Sequence, residues 1–391
     1  MRPMHPPIDS KLPRVGTTIF TVMSRLAAEH GAINLSQGFP DFEPPARLTE
    51  LADHHMRQRG GAGNQYAPMT GLPHLREAIA AKVAEYYGCH ANPDSDITVA
   101  SGGTEALFCA IQAIVRAGDE VILLDPAYDS YEPAITLAGG RAMHVPLQRP
   151  GFGIDWQRLS DAITPRTRLL ILNFPHNPSG ATLESADLAQ IAELLRGTGI
   201  FVLSDEVYEH MLFDGRRHES LLRHAELAAR SFVVSSFGKT YHATGWKIGY
   251  CVAPAALSHE FRKVHQFVQF VVATPLQAAI ADFMRECPGH SRELPAFYQA
   301  KRDHFARLLG ETRFRFESAH STYFQLADYS AVSDQPDTEF ARLLTTQHGV
   351  AAIPISVFSE DDAAKNERIV RFCFAKHEAT LDAAAAKLRL L

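Results

Sequence analysis

Five short apolar runs, Ile97-Thr98-Val99-Ala100, Val121 to Leu124, Leu169 to Leu172, Ile200 to Leu203 and Phe232 to Val234, are each followed at once by polar or glycine-rich residues. Helical patterns separate most of them. Leu72 to Tyr87 has helical periodicity, and Ala106, Leu107, Ala110, Ile111, Ile114 and Val115 share one helical face before Gly118 ends it. Strands apolar on both faces, alternating with helices, predict an α/β fold with a mostly parallel sheet covered on both sides.

The chain of 391 residues is long enough for more than one domain. Residues 1–45 are expected to form an N-terminal arm and part of a small domain, 46–285 a large α/β domain, and 286–391 a small C-terminal α+β domain. The last opens with an amphipathic helix around Glu293 to Leu309, followed by strands at Phe314-Arg315-Phe316 and Val370 to Phe374. The apolar stretch Phe267 to Met284 holds Gln269, Pro275, Gln277 and Asp282, so it reads as a broken buried helix and not a membrane span.

Net charge is −6, from 38 basic and 44 acidic residues, which argues against a nucleic-acid or membrane-surface partner. Five scattered cysteines form no disulfide or metal-knuckle pattern, so no metal is expected and a reducing, cytoplasmic compartment is. Met1 to Val15 lacks the apolar core of a secretory signal.

In open α/β sheets ligands bind beyond the carboxyl ends of the strands, where these polar groups fall. Lys239 follows the run Phe232 to Val234 within Ser235-Ser236-Phe237-Gly238-Lys239-Thr240. Such a lysine suits an amine held in a pocket to form a Schiff base with an aldehyde cofactor. Gly102-Gly103-Thr104 can present a helix N-terminus to phosphate, or cap the helix. Asp205 suits a carboxylate facing a pyridine nitrogen, or a strand-end cap. Tyr208 can serve a phenolate oxygen or fill the core, and Tyr128 can stack on a planar ring or simply pack. Asn177, held extended before Pro178, can serve a ring oxygen or form an Asx-turn. Ser236 and Lys247 can add phosphate contacts. Arg371 lies in Ile369-Val370-Arg371-Phe372-Cys373-Phe374, an apolar strand where an arginine needs an anion: a substrate carboxylate or a structural ion pair.

Asn177-Pro178-Ser179-Gly180, Ser204-Asp205-Glu206-Val207-Tyr208, Ser236-Phe237-Gly238-Lys239-Thr240 and Arg371-Phe372 resemble, in order and spacing, the class I/II pyridoxal-phosphate aminotransferases of fold type I. Asn34 to Phe42 and Gly245-Trp246-Lys247-Ile248-Gly249 resemble the branch of methionine, kynurenine and glutamine aminotransferases. His320-Ser321-Thr322-Tyr323-Phe324 departs from the usual glycine-containing turn, and Lys247 stands where many relatives have arginine. The resemblance implies that Lys239 carries pyridoxal 5'-phosphate and shuttles protons, and that Asp205 holds the ring nitrogen. Tyr208 and Asn177 would bind the ring oxygen. Gly103, Thr104, Ser236 and Lys247 would hold the phosphate, and Tyr128 would stack on the ring. Tyr66 would reach the partner subunit's phosphate in a homodimer. Arg371 would take the α-carboxylate, helped by Gly38 and Asn177.

The stretch His265 to Val272 lacks the arginine that a dicarboxylate substrate would need, whereas Phe39, Tyr128, Phe270 and Val271 suggest an apolar, aromatic pocket. Transamination of an apolar or aromatic L-amino acid, methionine foremost, with a 2-oxo acid is therefore expected. The alternatives are a kynurenine–oxoglutarate or glutamine-type aminotransferase with cysteine-conjugate β-lyase activity, and a non-catalytic binding or regulatory module on the same fold.

Overall fold

The computed structural model describes residues 8–58, 62–361 and 364–391. The expected arm therefore begins at residue 8, its first seven residues lying outside the described part. Twelve strands are found among the described residues: β1 (Ile33–Asn34), β2 (Ile97–Ala100), β3 (Glu120–Asp125), β4 (Arg141–Pro146), β5 (Thr167–Asn173), β6 (Phe201–Asp205), β7 (Ser231–Ser236), β8 (Gly249–Val252), β9 (Phe324–Asp328), β10 (Val350–Ala351), β11 (Ile353–Pro354) and β12 (Ile369–Cys373).

Seven of them form one sheet in the order β2-β8-β7-β6-β5-β3-β4. The contacts β3/β4, β3/β5, β5/β6 and β6/β7 are parallel, whereas β8 runs antiparallel to both β7 and β2. The strands β2, β3, β5, β6 and β7 therefore end on the same edge, as the polar groups after each run require. Apolar side chains on the sheet's two faces enter two separate cores, one around Ile122, Leu170 and Val202, the other around Val121, Leu169 and Leu203. That double burial is why the runs are apolar at every position.

Two strands of the large sheet escape the sequence pattern. β4 is an edge strand in which only Val145 is buried, and β8, Gly249-Tyr250-Cys251-Val252, has no aliphatic run. Conversely, Phe314 to Phe316 is not a strand: only Arg315 pairs, with Asp328, and Thr312 Oγ1 draws the Phe314 amide into a local turn.

A third core holds Tyr298, Phe305, Phe340, Phe372 and Phe374 and is roofed by the antiparallel sheet β11-β12-β9. The chain's beginning joins it through parallel pairing of β1 with β10 and through the Cys373 amide donating to Leu35 O at 2.8 Å. The stretch expected as a broken helix is two helices, Ala255–Val268 and Thr274–Glu286, with Pro275 in the first turn of the second. No described helix is long and apolar enough to cross a membrane.

Candidate active site

The strand ends of the large sheet, the turn after β1 and the strand β12 enclose a cavity of ≈ 370 Å³. Gly38, Gly103, Thr104, Tyr128, Asn177, Asp205, Tyr208, Ser236, Lys239, Lys247 and Arg371 all line it, so the structure brings together eleven of the residues singled out above.

One end is built for an anion. Gly102 and Gly103 open the helix Gly102–Ile114, whose first N–H groups have no partner within the helix and carry its positive dipole end. The register of β8 sets Gly249 opposite both Ala100 of β2 and Ser236 of β7. A Cβ at Gly249 would lie 2.6 Å from Ser235 O and 3.1 Å from Gly103 N, so only glycine lets the strands close here. Lys247, two residues earlier, is thereby brought beside Gly102.

In the middle stand Lys239 and Asp205. Lys239 sits on a single helical turn, Phe237–Thr240, directly after β7. Burial lowers its pKa to about 8, Arg371 and Lys247 pushing the same way and Cys373 and Asp205 opposing. Its Nζ donates to Tyr323 Oη at 2.9 Å and to Gly38 O at 3.2 Å. Asp205, the last residue of β6, accepts from the Tyr131 hydroxyl at 2.7 Å. Burial nonetheless raises its pKa to about 6, which leaves a carboxylate in want of a cation. Burial also pushes Tyr128 up to about 12 and Tyr208 higher still, so both are neutral phenols at neutral pH.

At the far end is Arg371. Nη1 donates to Asn177 Oδ1 at 2.7 Å and Nη2 to Ser36 O at 2.9 Å, while Nε has no hydrogen-bond partner among the described residues. The guanidinium lies 3.8 Å from the Phe324 ring centroid and 5.3 Å from that of Phe20. A guanidinium 1% exposed, with no carboxylate bonded to it among the described residues, is prepared for an external anion. Asn177 is itself set by Asn173, whose Oδ1 accepts the Asn177 amide at 3.1 Å and whose Nδ2 donates to Asp205 O.

Four expected residues, Phe39, Tyr66, Phe270 and Val271, do not face this cavity. Phe39 is 40% exposed and covers Lys376 at 4.6 Å. Tyr66 and Phe270 are 81% and 46% exposed, their rings meeting edge-on at 5.5 Å on the surface. Conversely, Thr18, Phe20 and Thr21 of the arm line the cavity unannounced, as do Gln37 and Thr244. Phe20 belongs to the amphipathic helix Ile19–Glu29, and its wall position depends on long-range folding that local pattern does not encode.

The chemistry of this donor set fits pyridoxal 5'-phosphate: an anion cradle, an amine of lowered pKa for an aldehyde, a carboxylate lacking a cation, and neutral phenols. Comparison with known proteins agrees. The family model "Aminotransferase class I and II" matches residues 30–388. Methionine aminotransferase of Escherichia coli is 55% identical over 383 residues, 98% of each chain. A crystal structure of an Escherichia coli protein identified with a methionine aminotransferase function superposes with a TM-score of 0.95 at 55% identity, covering 99% of this chain and 100% of that one. Human kynurenine–oxoglutarate transaminase 1 is 35% identical over 395 residues, 93% of each chain. Motif order, fold and cavity thus lead to one conclusion: the chain belongs to the class I and II aminotransferase family.

Proposed function

We propose that the protein moves the α-amino group of an apolar or aromatic L-amino acid, methionine foremost, to a 2-oxo acid, using pyridoxal 5'-phosphate. The observation that carries this reading is one cavity holding the anion cradle, the Lys239 amine, the Asp205 carboxylate and the unpaired Arg371 Nε. Gly103, Thr104, Ser236 and Lys247 would hold the phosphate, Asp205 the ring nitrogen, Tyr208 and Asn177 the ring oxygen, Tyr128 a ring face, and Lys239 the aldehyde carbon. When bound, the cofactor supplies the electron sink that makes a Cα–H bond acidic. Lys239, lowered to about 8, has a usable share of neutral amine near pH 7 and moves the Cα proton as base, then acid. Arg371 and Asn177 fix the α-carboxylate, so the Cα–H faces Lys239 in one orientation.

The substrate choice rests on the 55% identical methionine aminotransferase and on the walls. Lys239, Lys247 and Arg371 are the basic side chains among the described lining residues, and each has a role already. A second substrate carboxylate would have no cation from this chain. Phe20, Tyr128 and Phe324 favour an apolar or flat side chain. Pockets of this kind separate apolar side chains weakly, so the kynurenine-type reaction is a second reading, favoured by those aromatic walls. The outward-facing Tyr66 and Phe270 support a homodimer in which they complete the neighbouring subunit's site. The two apolar cores on the large sheet and the third under β9, β11 and β12 support the division at residues 45 and 285. Free thiols at all five cysteines accord with a reducing, cytoplasmic setting.

The test is the absorption spectrum of the purified protein before and after L-methionine, without a 2-oxo acid. A yellow band that converts to the amine form of the cofactor is expected. A band that answers only to kynurenine or a cysteine conjugate, the latter with release of pyruvate and ammonia, selects the second reading. No band after incubation with pyridoxal phosphate would leave a non-catalytic binding module.

A further inference from the structure

The Lys239 amine has two neutral acceptors, Gly38 O in the cavity wall and a tyrosine hydroxyl behind it. Tyr323 is fully buried in the turn before β9 and takes no part in lining the cavity. Its hydroxyl donates to Gly38 O at 2.6 Å. A carbonyl can only accept, so the one phenolic proton is committed to Gly38 and the Tyr323 oxygen accepts from Lys239 Nζ at 2.9 Å. The same amine reaches Gly38 O at 3.2 Å. Two of its N–H bonds are thus spent on neutral acceptors on one side, and the remaining tetrahedral position is left for the lone pair of the neutral amine.

The acceptors are rigid. The Tyr323 ring meets Tyr208 edge-on at 5.2 Å and Phe324 at 4.9 Å. At Gly38 a Cβ would lie 2.7 Å from Phe324 Cζ and 3.4 Å from Tyr323 Cε2, so the carbonyl is brought in by a backbone with no room for a side chain. Thr322, just before Tyr323, has φ +66, a left-handed conformation at the position where the sequence departs from its relatives' glycine-containing turn.

Resting on the proposed transamination, we infer that Tyr323, with the Gly38 carbonyl, is the docking point of the Lys239 amine whenever that amine is not covalently engaged, and that it orients the amine for proton transfer at Cα. Tyr323 acts through Lys239 and is a positioning residue. An oxygen accepting from the amine also favours the ammonium form, against the burial, Arg371 and Lys247 that disfavour it and alongside Cys373 and Asp205. Tyr208 and Tyr298 are further titratable side chains against this pair: Lys239 Nζ lies 5.4 Å from the Tyr208 ring centroid, the Tyr208 hydroxyl also interacts with that of Tyr323, and the Tyr298 ring lies 5.7 Å from the Tyr323 ring.

The experiment begins with the full-length, cofactor-free protein. Acetic anhydride labelling of Lys239 is followed by mass spectrometry across pH. Tyr323→Phe is expected to lower the half-labelling pH by roughly half a unit or more. Tyr298→Phe, which removes a buried hydroxyl with no hydrogen-bond partner among the described residues, is expected to leave it in place. In the holoenzyme Tyr323→Phe should cut kcat for methionine about tenfold with KM within about twofold, since the hydroxyl is outside the cavity wall. A half-labelling pH that does not move, or a kcat within about twofold of wild type, overturns the inference. If wild type binds the cofactor but turns over no amino acid, the proposed function fails, while the labelling still decides whether Tyr323 holds Lys239. Should Tyr323→Phe not fold, a crystal structure of the cofactor-free wild type decides: a Nζ–Oη separation beyond hydrogen-bonding distance refutes the contact.

Discussion

Arg371 and Asn177, 194 positions apart in the chain, share a hydrogen bond of 2.7 Å, and Arg371 Nε has no hydrogen-bond partner among the described residues. The bond holds the guanidinium plane, and the free edge is what a carboxylate would take. Arg371→Lys keeps the charge but loses the planar fork. A fall of about a hundredfold in kcat/KM for methionine is expected, roughly 3 kcal/mol of transition-state binding. Steady-state kinetics with methionine and with its decarboxylated amine check it. The amine should lose much less, and equal losses on both would place the carboxylate elsewhere.

Phe20 forms a cavity wall, its ring 6.4 Å from Tyr128 and stacked at 5.6 Å on Phe358. Phe20→Ala should raise KM for methionine and phenylalanine about tenfold and spare alanine, since the lost area faces only longer side chains. A uniform effect on all three would make Phe20 a packing residue.

The two central groups give the cofactor-free protein opposite pH slopes. Asp205 is raised from 3.8 to about 6, so the folded state binds the extra proton between those values and stability falls as pH rises through them. Lys239 is lowered from 10.5 to about 8, so the unfolded state binds the extra proton there and stability rises from pH 8 toward 10.5. Asp205→Asn should flatten the acid slope and add up to about 3 kcal/mol above pH 6, while Lys239→Met should flatten the alkaline one. Denaturant titrations across pH measure both. Wild-type curves without these slopes would mean that neither group is perturbed in solution.

Phe267 is 87% exposed and precedes the outward-facing Phe270 by three positions in the chain. Phe267→Asp is expected to shift the proposed homodimer to monomer in sedimentation velocity and to weaken cofactor binding about tenfold. A dimer of unchanged affinity would assign the interface to another face.

Legibility followed the physics of each element. The five apolar runs could be recognised because both faces of β2, β3, β5, β6 and β7 are buried, and the polar residues at their ends because strand polarity gathers them on one edge. β8 was hidden by its composition, since Gly249-Tyr250-Cys251-Val252 has no aliphatic run, and β4 by an edge position that leaves all but Val145 open to water in part. Tyr131, between Ser130 and Glu132, and Tyr323, between Thr322 and Phe324, carry no local mark of their partners, yet the first hydroxyl meets Asp205 and the second Lys239. Only three-dimensional folding aims their hydroxyls. Phe39, Tyr66 and Phe270 carry the expected residue types, yet within one chain none of them faces the cavity.

The pairing of the Cys373 amide with Leu35 O has a consequence for the order in which the protein can be made. Ser36, whose carbonyl receives Arg371, is synthesised 335 residues before it. The large sheet and the helical turn that carries Lys239 are complete by Val252. A nascent chain can thus own its amine and anion cradle long before it owns a grip for the substrate, and a ribosome that stalls short of β12 releases a protein with half an active site.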